Sequence, residues 1–415
     1  MKNLTWQNPE QLFVAQELIN KVKSKCCGIK VTYNNPEKAS RGDDLYTWNI
    51  INSIKHNKDT YLHVVAYYEE AKDKYVTYSE LEKKVDKLTY VPFVYKNILS
   101  IGFSRYPAMI SNRKTPQMIK QVTDILQKET YDAIFVNMFR LSYLINYIKD
   151  FPGIKIFISH NLETQLSHST YIYQSNPIKK LAYYLDYLKT QYYEKKYVSK
   201  FDCITTICDV DKELFQKFIP NKPIEVLPPV INIDNCNIKT DKIEDKFIIC
   251  GAFHWGPKYV NLKLLLSASN ISKFKESQHE LMIVGRANQA DVNYVNQNFP
   301  GVHMTGPVES VIPYYEKARI AIVPELVGGG FKLKIAEAVQ YSKPIVAIKG
   351  SVTDRTMIPG IHYIEADSFE ELITKSIELM QNPKLQSELV NNSRDLFKNR
   401  YSISYAANVI NKIIQ

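Results

Sequence analysis

The sequence has 415 residues, 45% of them hydrophobic and 23% charged, a balance that excludes a disordered chain and supplies apolar material for two cores. The formal net charge of +10 fits phosphorylated substrates or an anionic surface, although the abundance of Lys, Asn, Ile and Tyr reads equally as codon bias. MKNLTWQNPEQL lacks a signal-peptide core, no run nears the roughly 18 apolar residues that span a bilayer, and Cys26, Cys27, Cys203, Cys208, Cys236 and Cys250 follow no metal or disulfide spacing, so a cytoplasmic protein is expected.

Residues 8–23 place Leu12, Phe13, Ala15, Leu18, Ile19 and Val22 at helical spacing, which predicts a helix. Residues 28–34 read as a first strand, followed by a loop carrying Gly42. A helix over 45–54 and a strand at 61–67 come next. Strands at 133–137, 155–159 and 203–208 are separated by helical stretches, notably 116–128 and 178–198. Short apolar strands alternating with amphipathic helices predict parallel sheets built from βαβ units. The stretch 223–242, with Pro223, Pro228 and Pro229, breaks the pattern and reads as a linker. A second series follows, with strands at 247–250, 280–284, 320–324 and 344–347. The expected organisation is an N-terminal domain over 1–225, a linker over 226–242 and a C-terminal domain over 243–395. A terminal helix within 396–415 is expected to pack back on the first domain. In doubly wound α/β domains, ligands bind outside the carboxyl ends of the strands.

The segment 320–346, IAIVPELVGGGFKLKIAEAVQYSKPIV, carries the clearest chemistry. A strand ends at Pro324, Gly328, Gly329 and Gly330 form a turn, and a helix starts near Phe331. Phe331, Ile335, Ala338 and Val339 fall on one face, which is expected to be buried, while Lys334 and Glu337 share another. Glycines let backbone N–H groups approach a phosphate closely, and a helix N-terminus adds positive potential. Lys332 and Lys334 supply full charges, and Glu337 is spaced to accept hydrogen bonds from ribose hydroxyls. The plainer alternative is a tight strand–helix turn with a solvated, charged helix face.

The string GGGFKLKIAEAVQYSKPIVA resembles the donor-binding signature of family 4 retaining glycosyltransferases (glycosyl transferases group 1). Their GT-B fold has two facing Rossmann-like, doubly wound domains with a cleft between them. GAFHWGPKYVNLKLLL (251–266), with Trp255, Pro257 and Asn261, resembles the opening C-domain strand and loop, and LMIVGR (281–286) the next strand. TGPVESVIPYYEKARIAIVPE (305–325) resembles the segment around the donor base. FISHNLETQ (157–165) resembles the N-terminal strand end that carries a histidine, and YYEKKYVSKFDCITTIC (192–208) the helix and strand after it. The resemblance covers about 28–400. Many members carry two glutamates separated by seven residues. Glu337 matches the second, Gly329 stands where the first would fall, and Glu325 is too far upstream to replace it by register.

The resemblance implies transfer, with retention, of a sugar from a UDP- or GDP-linked nucleotide-sugar donor to a hydroxyl acceptor. The acceptor would be a glycan, a lipid-linked sugar or a protein, in bacterial surface polysaccharide or glycoconjugate synthesis. No cofactor beyond the donor and no metal is required. His160 would act as the catalytic residue beside the anomeric centre; capping the turn with Asn161 is the alternative. Gly42, Gly251, Arg286, the triglycine, Phe331, Lys332, Lys334 and Glu337 would hold the donor, with Lys258 a weaker candidate. Gly42 reads equally as a turn glycine, with Asp43 and Asp44 capping the next helix. Glu163 and His168 read also as solvated helix residues.

Asp209 and Asp211 have the spelling of a metal-binding pair but also suit a helix start. The Lys- and Tyr-rich helix over 178–198 fits peripheral contact with an anionic membrane, at the inner face. Ile178, Leu181, Leu185 and Leu188 read equally as an ordinary core stripe. Two other functions stay open: a catalytically silent GT-B protein that binds a partner or glycan, and a UDP-sugar 2-epimerase. Nucleic-acid binding is not expected, since no clustered basic face or recognised module appears.

Overall fold

The computed structural model describes residues 12–15, 42–56, 60–68, 79–233, 243–327 and 330–415. The chain divides into two compact units, Met1–Val230 with Ile403–Gln415, and Ile231–Ser402.

The first unit holds a seven-stranded sheet of β1 (Leu12–Ala15), β2 (His63–Tyr68), β3 (Lys87–Pro92), β4 (Ala133–Asn137), β5 (Ile154–Ile158), β6 (Cys203–Thr206) and β7 (Ile224–Val226). Their order is β3-β2-β1-β4-β5-β6-β7. Every pairing is parallel except those of β1, which runs antiparallel to both β2 and β4. This corrects the helix expected over 8–23 at Leu12–Ala15. An apolar run of four, LFVA, satisfies a buried strand as well as a helical stripe, and periodicity alone does not separate them. The strand expected at 28–34 lies outside the described residues. The helix expected over 45–54 begins earlier, at Gly42, so Gly42 opens a helix instead of sitting in a loop. The acidic pair that follows it suits a first helical turn.

Apolar side chains cover both faces of this sheet. Val65, Val136, Phe157 and Ile204 belong to one core and Val64, Phe135, Ile156 and Cys203 to the other. This alternation along fully buried strands is what a parallel sheet between helical layers requires. The C-terminal helix Ile403–Ile414 belongs here, adding Ala406, Ile410 and Ile413 to the core of Tyr46, Ile50 and Ile54. Lys412 Nζ donates to Glu225 at 2.7 Å beside it.

The second unit is a wholly parallel six-stranded sheet of β8 (Phe247–Cys250), β9 (Leu281–Val284), β10 (Val302–Gly306), β11 (Ile320–Val323), β12 (Ile345–Ile348) and β13 (Ile364–Ala366). The order is β10-β9-β8-β11-β12-β13. Successive strands therefore step one way from β8 and the other way from β11. The gap between their carboxyl ends is the topological switch point of the sheet.

Candidate functional site

Four loops of the second unit leave the carboxyl ends of neighbouring strands. They carry Gly251 after β8, Gly285 and Arg286 after β9, Glu325 after β11 and Ser351 after β12. Gly285 has φ +134°, and a Cβ there would stand 2.0 Å from the Gly251 carbonyl oxygen. The two strand ends can approach only because residue 285 carries no Cβ; at Gly251 an added Cβ would meet the Phe253 ring at 3.1 Å instead. Arg286 is exposed just beyond.

The β11 loop is pinned from below. Asn261, 2% exposed, donates from Nδ2 to the Val327 carbonyl and accepts from the Val327 N–H, both at 2.8 Å. Gly328 and Gly329 lie outside the described residues. Gly330 resumes with φ +70°, in the left-handed region that glycine tolerates. Phe331 packs on the core, its ring 5.5 Å from that of Tyr401. The following helix is Leu333–Gln340, which buries Ile335, Ala336, Ala338 and Val339. Lys334 is buried too, so the face it was expected to share with Glu337 is not a solvated one.

The reason is Glu325. Its carboxylate is 1% exposed and pairs through Oε1 with both Lys258 and Lys334. Its Oε2 is buried without a hydrogen-bond partner. The backbone N–H of Glu325 donates to Ser351 Oγ at 3.1 Å, which fixes the loop to β12. Burial pushes this carboxyl up, but the joint field of Lys334, Lys258 and Lys332 outweighs it and holds the pKa at about 2. Burial and repulsion from Lys334 bring Lys258 down to about 8, against the pull of Glu325. Glu337 accepts from the Tyr315 hydroxyl at 3.3 Å, and burial raises its pKa against the opposing effects of Lys334 and that bond. Three lysines thus converge with two carboxyl groups, and one carboxylate oxygen has no donor. Buried cations at this density are costly without compensating anions, and the arrangement suits a polyanionic ligand such as a diphosphate.

Of the residues that the sequence pattern singles out, Gly330, Phe331, Lys332, Lys334 and Glu337 all lie in this one turn and helix. Gly251 and Arg286 lie on neighbouring loops of the same sheet. Glu325, out of register with the expected first glutamate, is the residue that organises the lysines. Its only sequence signal is an acid directly after an apolar strand, in IVPE.

In the first unit His160 follows β5 and is buried, with Nε2 2.7 Å from Asn137 Oδ1 at the end of β4. Asn137 Nδ2 donates to Thr47 Oγ1 at 3.2 Å, which turns Oδ1 toward the imidazole and assigns the proton to Nε2. Tyr46 meets the ring edge-on, with centroids 4.9 Å apart. Met138, just after Asn137, has φ +70°, a conformation seldom taken by a bulky residue, and its N–H donates to the Ile158 carbonyl at 2.9 Å. Glu163, for which a solvated helix position is one of two readings from sequence, is buried at the start of the helix Glu163–Ile172. Asp209 and Asp211 lie in the first turn of the helix Asp209–Phe218.

Residues 244–382 match the profile of the family described as glycosyl transferases group 1. No curated protein sequence matches the chain. Among solved structures, sucrose-phosphate synthase from Thermosynechococcus elongatus is similar over 92% of this chain and 97% of its own, at 13% identity and a TM-score of 0.65. A glycosyltransferase from Rickettsia africae covers 93% of this chain and 98% of its own, at 15% identity and a TM-score of 0.60. HepE from Anabaena, solved in complex with UDP and glucose, covers 92% and 98% at 11% identity, with a TM-score of 0.58. The chain therefore has the GT-B fold, and its residues 244–382 are similar to glycosyl transferases group 1.

Proposed function

We propose that the protein is a retaining glycosyltransferase that takes a sugar from a UDP- or GDP-linked donor held by its second unit. The observation that carries this reading is the set of buried Lys332 and Lys334 and half-buried Lys258 gathered around Glu325 at the switch point of the second sheet. A diphosphate there would meet cations already desolvated and oriented, next to the backbone at Gly330. As the sugar–phosphate bond breaks, negative charge grows on the leaving phosphate, and preorganised cations stabilise that charge more than the ground state. Glu337 would accept from the ribose hydroxyls, with Gly251 and Arg286 bordering the donor.

His160 would contact the donor sugar or its leaving phosphate, with Asn137 fixing the imidazole tautomer, and Gly42 would serve the donor phosphates from the first unit. The acceptor would be the hydroxyl of a glycan, a lipid-linked sugar or a protein in bacterial surface polysaccharide or glycoconjugate synthesis. Retention of anomeric configuration rests on the resemblance in the donor segment, and the anomeric proton couplings of the product test it.

Calorimetry with UDP and GDP tests the donor site directly. Lys334→Ala and Glu337→Ala should each weaken the preferred nucleotide by tenfold or more, about 1.4 kcal/mol. Unchanged affinity in both variants removes the site assignment.

A further inference from the structure

The stripe Ile178, Leu181, Leu185 and Leu188, which reads equally as core from sequence, is not core. Ile178 is 81%, Leu181 61% and Leu185 50% exposed, and Leu188 and Tyr192 are exposed as well. The helix Pro177–Val198 buries only Thr190, Glu194, Tyr197 and Val198, all in its C-terminal half. The five seam residues recur at steps of three and four, so they lie on one face roughly 21 Å long.

A second apolar element adjoins this helix. The short helix Ile98–Gly102 buries no side chain, and Ile98 and Phe103 are 87% and 89% exposed. The segment is tied to the long helix at three points. Lys189 Nζ donates to the Ser104 carbonyl at 2.7 Å, the Ala108 N–H donates to Asp186 Oδ1 at 2.7 Å, and the rings of Tyr106 and Tyr193 lie 5.0 Å apart.

Charge on this face has one sign. The two acids of the long helix are taken inward, Asp186 by Ala108 and Glu194 by the neighbouring helix start. Lys179, Lys195 and Lys196 stay exposed. Where the seam ends, an open concavity is lined by Leu188, Gln191, Tyr192, Lys195, Lys196, Lys217 and Phe218, three ammonium groups among apolar and neutral polar side chains, with no carboxylate among the described residues. No helix among the described residues is long and apolar enough to cross a membrane.

We propose that this face of the first unit docks on an anionic lipid surface. The aliphatic seam and Phe103 enter the acyl–headgroup boundary, while Lys195, Lys196 and Lys217 take lipid phosphate groups in the concavity. A second copy of the chain is the poorer occupant, because the seam is edged by lysines with no exposed acid on the helix to answer them. The inference is independent of sugar transfer.

Vesicle co-sedimentation of the full chain tests it. Vesicles of equal parts phosphatidylglycerol and phosphatidylcholine should bind the protein, and pure phosphatidylcholine should bind it at least tenfold less. The triple variant Ile178→Ser/Leu181→Ser/Leu185→Ser and the double variant Lys195→Glu/Lys196→Glu should each lower the partition coefficient tenfold or more. All five positions are exposed, and an unchanged melting temperature confirms intact folding. Equal binding to both vesicle types, no binding to either, or unaltered binding by both variants overturns the proposal. So does a concentration-dependent dimer that the triple variant dissociates, which would make the seam a self-interface.

Discussion

Two buried carboxylates, one in each unit, are managed in opposite ways. Glu194 is fully buried and faces no cation. It accepts from the Glu163 N–H at 2.9 Å, the Thr164 N–H at 2.7 Å and the Thr164 hydroxyl at 2.6 Å. It thereby caps the helix Glu163–Ile172, whose own N-cap residue, Leu162, has no side chain able to do so. Burial dominates and pushes its pKa to about 8. Glu325 is equally buried, yet it is held at about 2 by surrounding lysines and keeps one oxygen without a donor. A carboxylate whose acceptor capacity serves backbone donors is a fold device. One that is half used, among cations in excess, marks a place where another anion belongs.

Removing Glu194 should produce the largest effect. Glu194→Ala leaves two helix N–H groups and a hydroxyl buried without an acceptor, at about 1–3 kcal/mol for each unsatisfied group. Loss of about 4 kcal/mol is expected in chemical denaturation, with UDP affinity of the folded protein unchanged. Glu194→Gln sharpens the point through pH. The unfolded carboxyl ionises near 4.5 while the folded one keeps its proton to about 8. The proton-linked stabilisation is therefore complete below pH 4.5 and lost as pH rises through about 8. Relative to the Gln variant, the native protein should weaken over that window. A pH-independent difference would mean Glu194 is ionised in the fold, and the contrast with Glu325 would shrink.

Glu325→Gln should cost somewhat less, about 3 kcal/mol, by leaving Lys258 and Lys334 without their counter-charge. It also removes the competitor for those lysines. UDP should then raise the melting temperature of the variant more than that of the native chain, since a ligand that binds only the folded state stabilises according to its affinity. An equal or smaller shift would make Glu325 a structural residue like Glu194.

Much of the second sheet is legible in the sequence because β8, β9, β11 and β12 are short, wholly apolar runs between helical patterns. β3 (KLTYVP) and β10 (VHMTG) do not read as strands, since their polar residues disguise them. β1 reads as part of a helix because four apolar residues carry no period of their own. The donor-side turn is visible as glycines followed by Lys332, Lys334 and Glu337. The partner that gathers the lysines is not, because Lys258 and Glu325 are 67 residues apart and meet only in the folded chain. Glu194, inside the charged string YYEKKYV, gives no hint of burial for the same reason. The exposed seam of the helix Pro177–Val198 shows the converse. Spacing reveals that a helix has an apolar face, but what covers that face is tertiary information.

The smallest effect is also the most specific to the lysine cluster. Lys258 is held at about 8, first by burial and then by Lys334, so in the free protein its charge is complete below that pH and lost above it. A bound diphosphate favours the ammonium form and raises that pKa in the complex, so affinity for UDP should fall as pH climbs from about 7 to 9. The loss of one close charge should be worth about fivefold, or about 1 kcal/mol. Lys258→Arg keeps its charge throughout this range, so its affinity should stay level and cross above that of the native protein on the alkaline side. Titration calorimetry at several pH values measures both profiles. A native profile that stays flat through pH 9 would mean that Lys258 does not face the ligand. Its pairing with Glu325 would then be as purely architectural as the cap made by Glu194, and the difference between the two carboxylates would reduce to one of solvation.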